Sequence, residues 1–138
     1  MTGEYLHSID IKGRLNFPAK LREELGCQFI LTKGLDGCIF VYSLAEWKKI
    51  EERMAALPLS QSRNVQRFLS SGACEVEPDK QGRILVPANL RSHAGLDKDI
   101  IVAGVGTRAE IWDKQRWEDN CAQLSSDMIA EQMEALGF

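Results

Sequence analysis

Two short stretches carry the residues best suited to chemistry. Asp10, Lys12, Gly13 and Arg14 fall within "DIKGR", and Asp79, Lys80, Gly82 and Arg83 fall within "DKQGR". A carboxylate ahead of an arginine, with glycine between them, suits a tight turn. The glycine takes a positive φ, and the carboxylate accepts backbone N–H bonds. The same carboxylate can hold the guanidinium bidentately, so that its remaining donors point in a fixed direction at little further entropic cost. With a lysine alongside, each turn is a rigid basic fingertip suited to phosphate or base-edge contact. Lys12, Arg14, Lys80 and Arg83 are therefore the candidate contacts to nucleic acid. Asp10, Gly13, Asp79 and Gly82 are the residues that orient the loops.

Two other readings compete. The Asp–Arg pairs can be salt bridges that merely pin turns, and a duplicated fold duplicates its pins. Alternatively, two carboxylates from paired copies can form a proton-sharing protease dyad. Such a dyad needs carboxylates free of cations, whereas Lys and Arg beside each Asp hold it ionised. The Asp-Thr/Ser-Gly sequence of such sites is also missing, as are Ser-His-Asp, P-loop and HExxH patterns. The surplus of cations favours the nucleic-acid reading. Lys20, Arg22 and Arg91 follow the turns and are candidate phosphate contacts of lower rank, because Glu23 and Glu24 partly neutralise the first two.

The elements that must position these turns are written twice. "DIKGRLNFPAKLREELG" and "DKQGRILVPANLRSHAG" align without a gap at an offset of 69 residues. They share Asp10/Asp79, Gly13/Gly82, Arg14/Arg83, Pro18/Pro87, Ala19/Ala88, Leu21/Leu90, Arg22/Arg91 and Gly26/Gly95. In the first copy "EYLHSID" alternates like a half-buried strand, and "RLNF" returns after the turn. Pro18 suits the first position of a short helix, "PAKLREEL", which Gly26 ends as a left-handed cap. "CQFILTK", "GLDG" and "CIFVY" make a hairpin, and Ser43 with Glu46 has capping-box spacing ahead of "LAEWKKIEERMAAL". The second copy repeats this plan, and one inserted residue moves Tyr42/Trp112 and Trp47/Trp117 to an offset of 70. The three tryptophans read as core.

Neither copy is long enough to bury a core alone. The expected fold is α+β: a duplicated barrel with pseudo-two-fold symmetry and flanking helices, forming one composite unit. Its first copy spans 1–57, a bridging helix 58–71, and the second copy with an acidic C-terminal helix 72–138. Ser60 or Ser62 is the expected cap of the bridging helix, with Val65, Phe68 and Leu69 as its apolar stripe and Arg63 and Arg67 solvated. On the C-terminal helix Met128, Ile129, Met133 and Leu136 share one side.

The 138 residues carry a net charge of −3, but unevenly. Asp10 to Arg22 sums to +3, Asp79 to Arg91 to +2, and Asp113 to Phe138 to −4. A local basic patch, not the global balance, is what meets a phosphate backbone. No apolar run approaches the ~18 residues of a membrane helix, and no secretion signal opens the chain. Cys27, Cys38, Cys74 and Cys121 form no CxxC pair, so buried free thiols in a reducing cytoplasm are expected. His7 and His93 read as surface or core fillers, and no cofactor or metal is implied.

At the two DxxxR elements, and through "VQRFLSSGACEVEPDKQGRILVP" between the copies, the chain resembles the MraZ family over nearly its whole length. The resemblance implies a SpoVT/AbrB-like swapped-hairpin β-barrel and protomers assembled into a ring. It implies a promoter-binding regulator, nucleoid-associated in the cytoplasm, that reads short direct repeats in double-stranded DNA. Such regulators usually repress their own division and cell-wall gene cluster. Arg14 with Lys12, oriented by Asp10, and Arg83 with Lys80, oriented by Asp79, are the contacts it implies. The alternative class is an AbrB-type protein-interaction module, antitoxin-like, whose tail folds on a partner.

Overall fold

A computed structural model describes all residues, Met1–Phe138. In the first copy β1 (Glu4–Ser8) and β2 (Arg14–Asn16) flank the turn. Then come α1 (Ala19–Leu25), β3 (Phe29–Lys33), β4 (Ile39–Ser43) and α2 (Leu44–Ala56). After α3 (Leu59–Gly72) the second copy repeats the order: β5 (Cys74–Val76), β6 (Arg83–Leu85), α4 (Ala88–Ala94), β7 (Asp99–Gly104), β8 (Ala109–Asp113) and α5 (Lys114–Ala122). A further helix, α6 (Ser126–Ala135), follows.

The strands interleave between copies. Six form one antiparallel sheet in the order β1-β7-β8-β4-β3-β5, and β2 pairs β6 in a two-stranded ribbon. Exchanging the copies (β1 with β5, β3 with β7, β4 with β8) returns the same order read backwards, which is the pseudo-two-fold axis in strand form. Each copy's opening strand is thus the edge partner of the other copy's hairpin. The ribbon is joined to the two edge strands of the sheet through the turns. An Ile9–Leu15 bridge links β1 to β2, and Asp79 N donates to Arg83 O at 2.9 Å between β5 and β6. The hairpin strands are buried on both faces, and β3, β4 and β7 so read as apolar runs instead of alternating ones, while β8 also buries Glu110.

One core is shared. Leu15, Leu21, Phe29, Leu31 and Val41 of the first copy pack with Ile84, Leu90, Ile100, Val102 and Ile111 of the second, all fully buried. Each such side chain contributes about 1.5–3 kcal/mol through burial, and an isolated copy would lose the partners that the other copy supplies. Trp47 and Trp112 are buried as expected and Trp117 is half-buried: Tyr42 with Trp47 and Trp112 with Trp117 form equivalent pairs, with centroids 6.1 and 5.6 Å apart.

Several local expectations are corrected. Pro18 and Pro87 stand at the N-cap, one residue ahead of α1 and α4. Gly95 is a left-handed cap (φ 60°, ψ 35°), but Gly26 combines positive φ with extended ψ (90°, −174°). Ser43 Oγ accepts Glu46 N at 3.2 Å, whereas the Glu46 carboxylate takes Lys49 at 3.0 Å and does not reach back. Neither Ser60 nor Ser62 caps α3. Pro58 holds that position, and buried Ser62 lies inside the helix with Oγ donating to Pro58 O at 3.3 Å. The thiols also divide: Cys38 is buried and Cys74 half-buried, but Cys27 and Cys121 are exposed, and all four are free.

The bridging segment is helical, held where Thr32 Oγ1 donates to Leu69 O at 2.6 Å. Of its apolar stripe, Phe68 and Leu69 are half-buried and Val65 is exposed, while Arg63 and Arg67 are solvated. The apolar side of α6 is largely uncovered, with Met133 and Leu136 exposed. No helix is long and apolar enough to cross a membrane.

Candidate nucleic-acid interface

The two turns have the same atomic plan. Asp10 N donates to Arg14 O at 3.0 Å, and Gly13 N donates to Asp10 O at 2.9 Å. Asp10 Oδ1 accepts Lys12 N at 3.0 Å and Arg14 N at 2.8 Å, and Oδ2 accepts Arg14 Nε at 2.7 Å. In the second turn Asp79 Oδ1 accepts Gln81 N and Arg83 N, both at 2.9 Å, and Oδ2 accepts Arg83 Nε at 3.1 Å. Gly13 and Gly82 have φ of 86° and 79°, which the turn requires and only glycine adopts cheaply.

The hold on the guanidinium is not bidentate as expected. One carboxylate oxygen is taken by two backbone N–H groups, so only the other is left, and it meets Nε alone. Both terminal nitrogens of Arg14 and of Arg83 therefore remain free, which is the fork that planar acceptors such as phosphate or a guanine edge require. The Arg14 and Arg83 backbone N–H bonds, ahead of their guanidinium groups, hold the Asp10 and Asp79 carboxyls below the usual carboxylate range. Each carboxylate is satisfied inside its own loop, an arrangement opposite to a proton-sharing dyad.

The ribbon decides where the arginines point. Arg14 lies opposite Leu85, Leu15 opposite Ile84, and Asn16 opposite Arg83. Leu15 and Ile84 face inward and are buried. Alternation then puts Arg14, Asn16, Arg83 and Leu85 on the outward face together. Two residues of offset at ~3.4 Å each, across strands ~4.8 Å apart, place the two arginine Cα atoms about 8 Å from one another. The turns themselves lie at opposite ends of this ribbon. Lys12, Lys80 and Gln81 are exposed on them.

Asn16, Leu85 and Ile11 were missed from sequence. Ile11 is 96% exposed at the first fingertip, where the second carries Lys80. Strand parity relative to Leu15 and Ile84 was the available signal for Asn16 and Leu85. Among the helix cations, Lys20 is exposed, whereas Arg22 and Arg91 are half-buried and turned toward the turns. His93 Nε2 donates to Gly34 O at 2.9 Å, and His7 is partly buried, which lowers its pKa. No group of three or more His, Cys, Asp or Glu side chains is arranged to hold a metal.

Comparison with known proteins agrees with this duplicated plan. The model of a family described as "MraZ protein, putative antitoxin-like" matches twice, over residues 1–68 and 69–137. The chain is 55% identical to the "Transcriptional regulator MraZ" of Thermoanaerobacter sp. (strain X514), covering 100% of this chain and 99% of the relative. Relatives of the same name from Acetivibrio thermocellus and Alkaliphilus metalliredigens are 53% and 56% identical, each covering 99% of this chain and 98% of the relative. The chain belongs to the MraZ family, in which these relatives carry the name of transcriptional regulators.

Proposed function

We propose that this protein regulates transcription by binding double-stranded promoter DNA sequence-specifically through its DxxxR ribbon. The observation that carries this reading is the outward face of the β2–β6 ribbon, where two arginines with free terminal nitrogens stand side by side. A two-stranded ribbon fits the B-DNA major groove, ~12 Å wide, and an arginine fork matches guanine O6 and N7. Asn16 suits an adenine edge and Ile11 a thymine methyl. Lys12 and Lys80 at the ends, and Lys20 on α1, serve the phosphates. The two fingertips differ at 11/80 and 12/81, so one protomer reads an asymmetric sequence. Several protomers in a ring would present the same hand to successive direct repeats and gain through effective concentration. Repression of the protein's own division and cell-wall cluster is the regulatory outcome proposed.

The test is fluorescence anisotropy with DNA from upstream of the protein's own gene, beside a scrambled control, at two salt concentrations. Arg14→Ala and Arg83→Ala should each cost about 1–3 kcal/mol of discrimination, and Lys12→Ala should weaken both DNAs and lower the salt slope by about one. Equal binding of native and scrambled DNA, unmoved by either arginine, would reduce the turns to structural pins. A second reading, an interaction module engaging a protein partner, draws on the uncovered apolar side of α6. Rapid proteolytic clipping within 113–138 of the free protein would favour it.

A further inference from the structure

Each fingertip rests on an arginine from the other copy. A Cβ built on Gly82 would lie 2.9 Å from Arg22 Cζ and 2.8 Å from its Nη2. A Cβ on Gly13 would lie 2.9 Å from both Cζ and Nη1 of Arg91. Both glycines are buried although the turns around them are exposed. The backbone repeats the crossing: Phe17 N donates to Gly82 O at 3.0 Å, and Val86 N donates to Gly13 O at 2.8 Å. Arg22 Nε is itself tied to Phe17 O at 3.2 Å, so α1, Phe17 and the opposite turn form one connected unit. Its counterpart Arg91 Nε is buried and makes no hydrogen bond, so the Arg91 guanidinium is held there by packing against Gly13.

We infer that Arg22 and Arg91 are positioning residues, Arg22 for the Arg83 loop and Arg91 for the Arg14 loop. This inference rests on the DNA-reading role of those loops. A planar cation under the glycine fills the space a side chain would need. It fixes the height of the turn and adds positive charge beneath it. The fingertip of one copy is thereby set by the helix of the other, so the two copies read DNA as a coupled pair. On this inference both arginines act on binding through the turns and not through a phosphate contact of their own.

Double-mutant cycles on DNA affinity separate these roles. Arg22→Ala should weaken binding about tenfold in the wild-type and Arg14→Ala backgrounds, but by less than about threefold once Arg83 is Ala. Arg91→Ala should mirror this, losing its effect in Arg14→Ala. Arg22→Lys should not rescue, because an ammonium keeps the charge and lacks the plane. In the free protein, Arg22→Lys should shift the Gly82 and Arg83 amide resonances and leave Gly13 and Arg14 in place. Effects that add in both backgrounds, with Lys rescue and a salt slope lower by about one, would make Arg22 a phosphate contact and overturn the inference. Unshifted Gly82 and Arg83 amides would also overturn it, and that readout needs no DNA. Failure of Arg14→Ala and Arg83→Ala to weaken binding would instead refute the DNA reading itself.

Discussion

Replacing three positive-φ glycines by alanine grades the contribution of the opposing arginine. Gly26 has φ 90° and nothing within 4 Å of its would-be Cβ, so Gly26→Ala meets backbone strain alone, about 1–3 kcal/mol. At Gly82 the three nearest atoms all belong to the guanidinium of Arg22, the far end of a flexible side chain that can withdraw. Gly13 adds the Arg91 guanidinium and the Val86 carbonyl oxygen, each 2.9 Å from the Cβ position, and a backbone atom cannot withdraw. Overpacking of that kind costs about 1–3 kcal/mol beyond the strain. The expected order of destabilisation is Gly13→Ala, then Gly82→Ala, then Gly26→Ala, with about 2–6 kcal/mol for the first. Urea unfolding by circular dichroism measures all three, and about 2 kcal/mol between the extremes should separate their melting points by roughly 5–10 °C. A Gly13→Ala protein no less stable than Gly26→Ala would refute the close packing of turn on arginine.

Further outcomes follow from the same geometry. The Asp10 and Asp79 carboxyls are lowered when folded, so their contribution to turn order is complete above the ordinary value of 3.8 and fades as pH falls through the folded value. The Lys12 and Arg14 amide shifts should stay constant from about pH 5 to 8 and move only in acid, and a midpoint near neutrality would contradict this. Residues 1–72 expressed alone should be unfolded by circular dichroism, because β1 and β3 lose β7 and β5 and the core is halved. Thiol labelling of the native protein should modify Cys27 and Cys121 rapidly. Cys38, buried and with its thiol pushed well up by desolvation, should react only on unfolding.

Much of this protein was legible because its information is local and written twice. The Asp–x–x–Gly–Arg turn, the proline that opens each short helix, the hairpins and the serine cap of α2 depend on residues within about five positions of one another. Duplication exposed them by removing chance from each. Membership of the family and the α+β plan were therefore available from the chain alone. Small errors at Pro18, Gly26 and the cap of α3 are differences of one to four positions or of one dihedral well, which local patterns do not resolve.

Only the tertiary structure decided what depends on residues about 60 to 100 positions apart. No periodicity announces that β1 pairs β7, or that β2 pairs β6 in a register that sets Asn16 against Arg83. That register turns two separate turns into one outward face. The same crossing carries the half-buried Arg22 and Arg91 beneath glycines of the other copy, a placement that charge counting, which offered them as lower-rank phosphate contacts, had no means to give. Exposed Ile11 went unread because an isolated isoleucine carries no local signal of its surroundings. Strand pairing is a choice among distant partners made by burial of a shared core, and a sequence read in order holds the partners but not the choice.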